Sequence, residues 1–327
     1  MPAGAGGPNF PICNHMFISI CIPVYKNAEF LKRLLDSIGT QTFKDFEVII
    51  SDDSPEDNIQ LFCQNYQGGF SLRYFKNPDS LGSPENWNAA IRHAGGEWIK
   101  IMHDDDWFAH ASSLEEFARA IKNNPSAGLF FSAYSNYYFE NDNYKDFRMT
   151  AWWFKRLLKD PTVLFSRNVI GAPSVVIYKR SMQLEYDRNL KWLVDIDFYI
   201  RALAGTRPVF IDKILIHIGI GKEQITQDCF RKRPVEIPES FYLLNKTGLS
   251  HLQNIIVYDA WWRLMRNLEI RSENEIFGSG YREAIPRAIK RIIKFQNGIP
   301  TSILKIGILS KAFMALGYLF DRNKMEK

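Results

Sequence analysis

Gly96-Glu97-Trp98-Ile99-Lys100-Ile101-Met102-His103-Asp104-Asp105-Asp106-Trp107 is the stretch whose reading decides the fold. Its apolar run, Trp98 to Met102, predicts a short buried strand, and three consecutive carboxylates follow directly. Adjacent carboxylates repel, so a folded site leaves some of them protonated unless a cation sits among them. Hard oxygen donors at a strand's carboxyl end are what Mg2+ or Mn2+ prefer, particularly where a diphosphate supplies the remaining ligands. Open α/β sheets bind ligands at that same edge. Taken alone, the triplet reads more readily as an acidic surface loop, with Asp106 or Ser112 capping the next helix. The flanking sequence reverses that preference.

Upstream, Phe17 to Tyr25 is an apolar strand in which Pro23 fits only the end or an edge. Asn27 caps a helix predicted over 28–38, with Phe30, Leu31, Leu34, Leu35 and Ile38 on one face. Phe46 to Ser51 forms a second strand, and Asp52-Asp53-Ser54 lies at its carboxyl end. A helix over 56–66, a strand over 72–75 and a loop from Asn77 to Ser83 follow. Ser83 is expected to cap a helix opened by Pro84 and running to His93. Gly95-Gly96 then leads into the acidic stretch. Such alternation predicts a parallel sheet wrapped by helices, with three acidic or glycine-bearing loops gathered at one edge. That is a nucleotide cleft by pattern.

Downstream, the spacing predicts a helix over 112–123, a strand over 127–132 and an irregular hairpin over 134–147. Trp152 to Leu158 is aromatic and amphipathic, and Pro173 to Tyr178 is another buried strand. A helix starts near Trp192, with Asp195 and Asp197 where a helix dipole favours negative charge. A strand over 209–218 ends near His217. From Pro238 onward the pattern turns helical and basic, with Arg282, Arg287, Lys290, Arg291, Lys294, Lys305 and Lys311. Apolar residues interspersed with Lys and Arg suit a surface resting on anionic lipid. They equally suit a helical subdomain packed on the rest with its charges solvated.

A chain of 327 residues with 46% hydrophobic residues is long enough for one large domain or two small ones. Its net charge of +5 does not call for nucleic acid. Four scattered cysteines show no zinc spacing and fit a reducing cytoplasm. Residues 1–16 lack the basic and apolar regions of a signal peptide and read as a disordered leader. No uninterrupted stretch reaches transmembrane length.

Five ordered motifs then point to a family. Ile22-Pro23-Val24-Tyr25-Lys26-Asn27, Ser37-Ile38-Gly39-Thr40-Gln41-Thr42-Phe43, Glu47 through Ser54, the loop carrying Asn77, Gly82, Asn86 and Asn88, and Gly96-Glu97-Trp98-Ile99 stand in sequence. Together they resemble the inverting family-two glycosyltransferases of GT-A fold. The likeness is strong from Phe17 to Phe108 and weaker to about Asp228. It implies an α/β GT-A catalytic domain over 17–237, with a mostly parallel central sheet flanked by helices. The nucleotide-binding half would be 17–108 and the acceptor half 109–237, followed by a helical, basic region over 238–327.

The resemblance also implies roles. Pro23, Val24, Tyr25, Asn27, Asp53, Asn86, Asp104 and Asp105 would bind the nucleotide, with Asp53 reading a uracil or thymine N–H. Asp106 and Asp104, with the late His217, would serve Mn2+ or Mg2+ on the diphosphate. Many members carry Asp at the position of His103, so the register of the metal motif stays open by one residue. Asp195 would be the base that deprotonates the acceptor, with Asp197 as its rival. Trp192 and Trp152-Trp153 would stack on acceptor sugars or pack in the core. The partners implied are a UDP- or dTDP-sugar donor and a glycan or lipid-linked acceptor in surface-polysaccharide synthesis, in the cytoplasm or peripheral on the inner membrane face. The rival readings are a non-catalytic sugar-nucleotide or glycan-binding protein on a degenerate transferase fold, and a metal-dependent phosphohydrolase. The second leaves the motifs from Pro23 to Ser54 unexplained.

Overall fold

The structure, a computed structural model, describes residues 16–221 and 229–321. The leader expected over 1–16 therefore lies outside the described residues, Met16 excepted. The first half alternates as the pattern requires: β1 (Ile18–Val24), α1 (Ala28–Gly39), β2 (Phe46–Asp52), α2 (Asn58–Asn65), β3 (Leu72–Lys76), α3 (Glu85–Arg92) and β4 (Trp98–Ile101). Asn27 caps α1, its side chain accepting from the Phe30 N–H at 3.0 Å. Leu31, Leu34, Leu35 and Ile38 are fully buried beneath the sheet. Ser83 does not cap α3. The Ser83–Pro84 bond is cis, Pro84 takes the cap position, and no side chain bonds to the helix start.

The second half comprises β5 (Trp107–Phe108), α4 (Ser113–Asn123), β6 (Leu129–Tyr138), β7 (Asn143–Phe147), α5 (Ala151–Lys159), β8 (Val176–Lys179), α6 (Val194–Gly205) and β9 (Pro208–Ile220). Sheet order is β3-β2-β1-β4-β8-β6-β9-β5, with β7 paired to β6 as a hairpin. From β3 to β4 every pairing is parallel, so the carboxyl ends of β1, β2 and β4 share one edge. Beyond β4 the sheet is mixed: β8 runs antiparallel to both β4 and β6, and β9 runs parallel to β6 through an irregularity at Ser132–Tyr134.

The entry into β4 is fixed by one carboxylate. Glu47 accepts from the Ser19 hydroxyl (2.7 Å), the Gly95 N–H (2.7 Å) and Arg73 (3.1 Å). Burial alone would raise its pKa, but these donors outweigh that and lower it. The Ser19 hydroxyl in turn accepts from the Gly96 N–H at 2.8 Å. Gly96 has no room for a side chain, since a Cβ there would lie 2.7 Å from the Ser19 nitrogen.

The C-terminal region has its own core. It contains α7 (Arg233–Thr247), α8 (Ile255–Asn267), α9 (Glu273–Gly278), α10 (Arg287–Asn297), α11 (Thr301–Leu304) and α12 (Gly307–Asp321). Trp261, Trp262, Tyr258, Phe241 and Ile292 lie fully or almost fully buried in a second apolar cluster. Pro238, expected at the boundary, sits inside α7. Among the described residues no helix is long and apolar enough to cross a membrane.

Gly96→Ala is expected to cost about 1–3 kcal/mol, because an added methyl at a tight backbone contact acts as overpacking. Denaturant unfolding of the variant against the parent measures it.

Candidate active site

The acidic stretch emerges where the sequence places it, at the edge shared by β1, β2 and β4. Asp53 is buried there with both oxygens engaged. Oδ1 accepts from Asn77 (2.8 Å) and the Leu81 N–H (3.0 Å), and Oδ2 from the Gly82 N–H (2.7 Å) and Ser80 (3.2 Å). Asp53 thus shapes the 77–82 loop. Asn86 ties that loop to β1, accepting from Asn77 and donating to the Val24 carbonyl. Asp52 receives Tyr74 at 2.6 Å and Lys76 at 3.3 Å. Neither aspartate caps α2, whose cap position is Asp57. Pro23 and Val24 end β1 opposite Ser51 and Asp52, and the Tyr25 side chain beyond them is 52% exposed. Asn27 is committed to capping α1.

The acidic residues divide into two groups. Asp104 turns back toward β1, where the main-chain N–H of Tyr25 donates to it; burial and the charge of Asp105 push its pKa up to about 8. His103, Asp105 and Asp106 converge, their ligating atoms all within 4.8 Å of one another. Asp106 is 1% exposed and its Oδ1 accepts from the Gly219 N–H at 3.0 Å. Its Oδ2 lies beside Ser174 and 3.9 Å from His103 Nδ1, without a hydrogen bond of ordinary geometry to either. The buried His103 Nε2 also lacks a hydrogen-bond partner. Burial, then Asp105, raises the Asp106 pKa well above the carboxylate range, and burial lowers that of His103. A half-buried imidazole and the buried Asp106, each with an orphaned ligating atom, converge with Asp105 and together fit a divalent cation, which would replace the protons that burial otherwise forces onto the acids.

His217, expected among the metal ligands, is not one of these three. It pairs with Trp107 across β5 and β9, its ring 5.5 Å from Trp107 and 4.8 Å from Tyr144. Its neighbour along the strand matters more. Gly219 presents the N–H that holds Asp106, and a Cβ there would collide with the Asp105 carbonyl.

Asp195 opens α6. Its Oδ2 accepts from Asn168 at 2.6 Å and its Oδ1 from the Ile196 N–H at 2.8 Å. Burial raises its pKa to about 6, with the two N–H groups and Asn168 holding it from going higher. Asp197 is otherwise employed: it is buried between Arg201 (2.7 Å) and Lys246 (2.6 Å) as an ion-pair partner. The segment from Asn168 to Ser174 joins the two acidic centres. At one end Asn168 holds Asp195; at the other the Ser174 hydroxyl accepts from the His103 N–H at 3.0 Å.

Sequence patterns similar to these are known over most of this region. A family model described as glycosyl transferase family 2 matches residues 19–209. The chain belongs to glycosyl transferase family 2. An uncharacterised glycosyltransferase of Methanocaldococcus jannaschii is 30% identical over 193 residues, covering 58% of this chain and 65% of that protein. An abequosyltransferase of Salmonella typhimurium is 38% identical over 103 residues, 30% of each chain. The chain spans between 62% and 65% of the length of the first three curated relatives it matches. Residues 1–349 of Staphylococcus aureus TarS, solved with UDP-GlcNAc, superpose with a TM-score of 0.62 at 16% identity, covering 95% of this chain and 90% of that one. The fold is the GT-A fold of the glycosyltransferase family, and members of family 2 generally use a divalent metal.

Three features of this family 2 site escape a reading by sequence. Lys100 lies inside the run taken as apolar. It is fully buried, donates to the Ser174 carbonyl, and has a pKa lowered to about 7 by burial, with Asp106 acting the other way. A lone Lys at a strand centre was the available signal. His103, noted only as a departure, is a converging donor. Glu239, from α7, accepts from the Lys191, Trp192 and Leu193 N–H groups, each at 2.9 Å, at the start of the helix that carries Asp195. Nothing in the sequence links residues so far apart. Trp192 packs toward Phe230 at 6.1 Å, while Trp152 is half exposed against Trp153 and Arg156.

Glu239→Gln is expected to lower the turnover of sugar transfer about tenfold while leaving nucleotide binding within twofold, because it loosens only the approach to α6. Steady-state kinetics beside calorimetric nucleotide binding check it.

Proposed function

We propose that this chain is a metal-dependent, inverting glycosyltransferase that moves a sugar from a UDP- or dTDP-sugar to a glycan or lipid-linked acceptor of a cell-surface polysaccharide. The observation that carries the reading is Asp195. It is a partly exposed carboxylate poised near neutrality, and Asn168 to Ser174 connects it to the acidic centre at the end of β4. Two acids with separated roles support transfer better than mere binding.

In the proposed step the acceptor hydroxyl oxygen attacks the anomeric carbon as the bond to the β-phosphate oxygen breaks. Asp195 takes the hydroxyl proton, and the nucleoside diphosphate leaves with the bonding pair. Single displacement inverts the anomeric centre. A divalent cation would be held by His103, Asp105 and Asp106, and when bound it neutralises charge on the departing diphosphate. An imidazole among the ligands favours Mn2+ over Mg2+, which keeps to oxygen. This assignment moves the cation from the expected Asp104 and His217 toward His103 and Asp105, and leaves Asp104 to the ribose. His103 stands where many members carry Asp; as a converging donor it supports an active site rather than a degenerate binding protein.

Calorimetric titration with UDP, dTDP and GDP, with and without Mn2+, tests the donor class. The expected result is metal-dependent binding of UDP or dTDP, and loss of all binding would withdraw the reading. Asp106→Asn should weaken the Mn2+-dependent component at least about tenfold, whereas Asp104→Asn should leave metal affinity nearly unchanged.

For the base, the sign follows from protonation. Only the carboxylate form of Asp195 accepts a proton, so kcat/KM should fall below an acid limb near pH 6, where its raised pKa of about 6 lies. Asn168→Ala removes a donor that stabilises the carboxylate and should move that limb to higher pH. Asp195→Asn should abolish transfer with nucleotide binding retained. A limb that stays in place in Asn168→Ala would take the proton acceptor away from Asp195.

A further inference from the structure

The last helix, α12, is folded inside out. Its buried face carries Ser310, Met314, Gly317 and Asp321. Ser310 accepts from Trp262 Nε1 (3.0 Å) and Arg266 (2.9 Å). Gly317 sits where a Cβ would come within 3.2 Å of the Tyr258 hydroxyl. Asp321 receives that hydroxyl at 3.2 Å and Arg291 at 3.3 Å. Polar and small residues thus anchor the helix to α8 and α10. The face turned to solvent is apolar: Ile308 is 84% exposed, Leu319 62% and Phe320 67%, with Leu309 and Leu316 exposed between them.

At 3.6 residues per turn, Ile308, Leu309, Ala312, Ala315, Leu316, Leu319 and Phe320 fall within an arc of roughly 140°, and the stripe runs about 18 Å. No charged residue interrupts it. An amphipathic helix in a water-surrounded domain does the opposite and buries its apolar arc. Large exposed apolar stripes mark interaction surfaces.

We infer that this face of α12 is a monotopic docking surface for an anionic lipid bilayer. Charge selects that occupant over a second copy of the chain. Exposed Lys311 borders the stripe, and Lys305, just before α12, has an exposed side chain although it lies 3.5 Å from Glu269. The outer row of α10 adds Arg287 and Lys294, both exposed, and Lys290, which pairs with Glu273. Face-to-face packing of two such stripes brings like charges together, whereas anionic headgroups neutralise them while the acyl boundary takes the apolar side chains. The surface deepens the lipid-linked acceptor reading, since it would hold the transferase where such acceptors reside. Its test measures membrane binding alone, so either idea can fail without the other.

The full chain is sedimented with vesicles of phosphatidylcholine alone and of phosphatidylcholine mixed with phosphatidylglycerol. Binding to the mixed vesicles is expected. The triple variant Ile308→Ser, Leu316→Ser, Phe320→Ser should bind them at least about tenfold more weakly, with an unchanged melting temperature because these side chains face solvent. Lys305→Glu with Lys311→Glu should erase the preference for phosphatidylglycerol. Undiminished binding by the triple variant would overturn the proposal. So would a parent that binds no vesicles, or one that sediments as a dimer which the triple variant dissociates.

Discussion

Too many carboxylates stand at the end of β4 for the water available to them, and much of the surrounding structure answers that excess. Asp104 and Asp106 both have pKa values forced upward by burial and by the charge of Asp105. Without a cation the protein must hold protons there, and with one it holds a metal instead. Each neighbour relieves a part of the strain. The Tyr25 N–H turns Asp104 toward β1, the Gly219 N–H anchors Asp106, and the fully buried Lys100 brings a compensating charge from beneath. Gly219 has to be glycine because the strand presses against the Asp105 carbonyl, which brings the far side of the sheet into the same constraint.

That far side carries Asp195, the proposed base. The segment between Asn168 and Ser174 reaches Asp195 at one end and the His103 main chain at the other. The proposed base and the acidic centre are therefore tied through one segment, which matters because transfer depends on reacting groups held in near-attack geometry. Asp197, two residues further along the same helix, is instead held in ion pairs with Arg201 and Lys246. Two neighbouring aspartates of similar sequence context thus reach opposite fates, one left poised and one paired.

How much of this the sequence discloses depends on range. The alternation from β1 to β4 was legible because each element states its own period and its own breakers, and Asn27 caps its helix as composition suggests. The preference for Asp195 over Asp197 as the base came from a resemblance and is a proposal; the ion pair that engages Asp197 needs Lys246, far along the chain. How the three aspartates divide between Tyr25 and His103 was not legible. Asp104, Asp105 and Asp106 are chemically identical, and only the backbone turn after Met102 decides which faces Tyr25 and which faces His103. Ser83 failed as a cap because Pro84 itself takes the cap position and no side chain bonds to the helix start. Lys100 was overlooked because a lone charge does not disturb an apolar average, although burial makes it one of the most consequential residues of the strand.

The C-terminal helices join these themes rather than standing apart. Through Glu239 they fix the entry to α6, and through Lys246 they neutralise Asp197, so the helical region expected from Pro238 onward contributes to the ordering of the helix that carries Asp195. Their core is sealed by aromatic side chains on one side of α12, yet that helix meets them with Ser310, Gly317 and Asp321 and turns Ile308, Leu319 and Phe320 outward. Burial of Met314, flanked by Phe313 and Tyr318, accounts for only part of the orientation of α12; the hydrogen bonds to Trp262, Tyr258 and Arg291 fix the rest. A helix oriented against its own hydrophobic arc is stable because buried polar groups left unpaired would cost more than exposed apolar ones. The same rule, that a buried polar group must find its partner, governs the acidic centre as well.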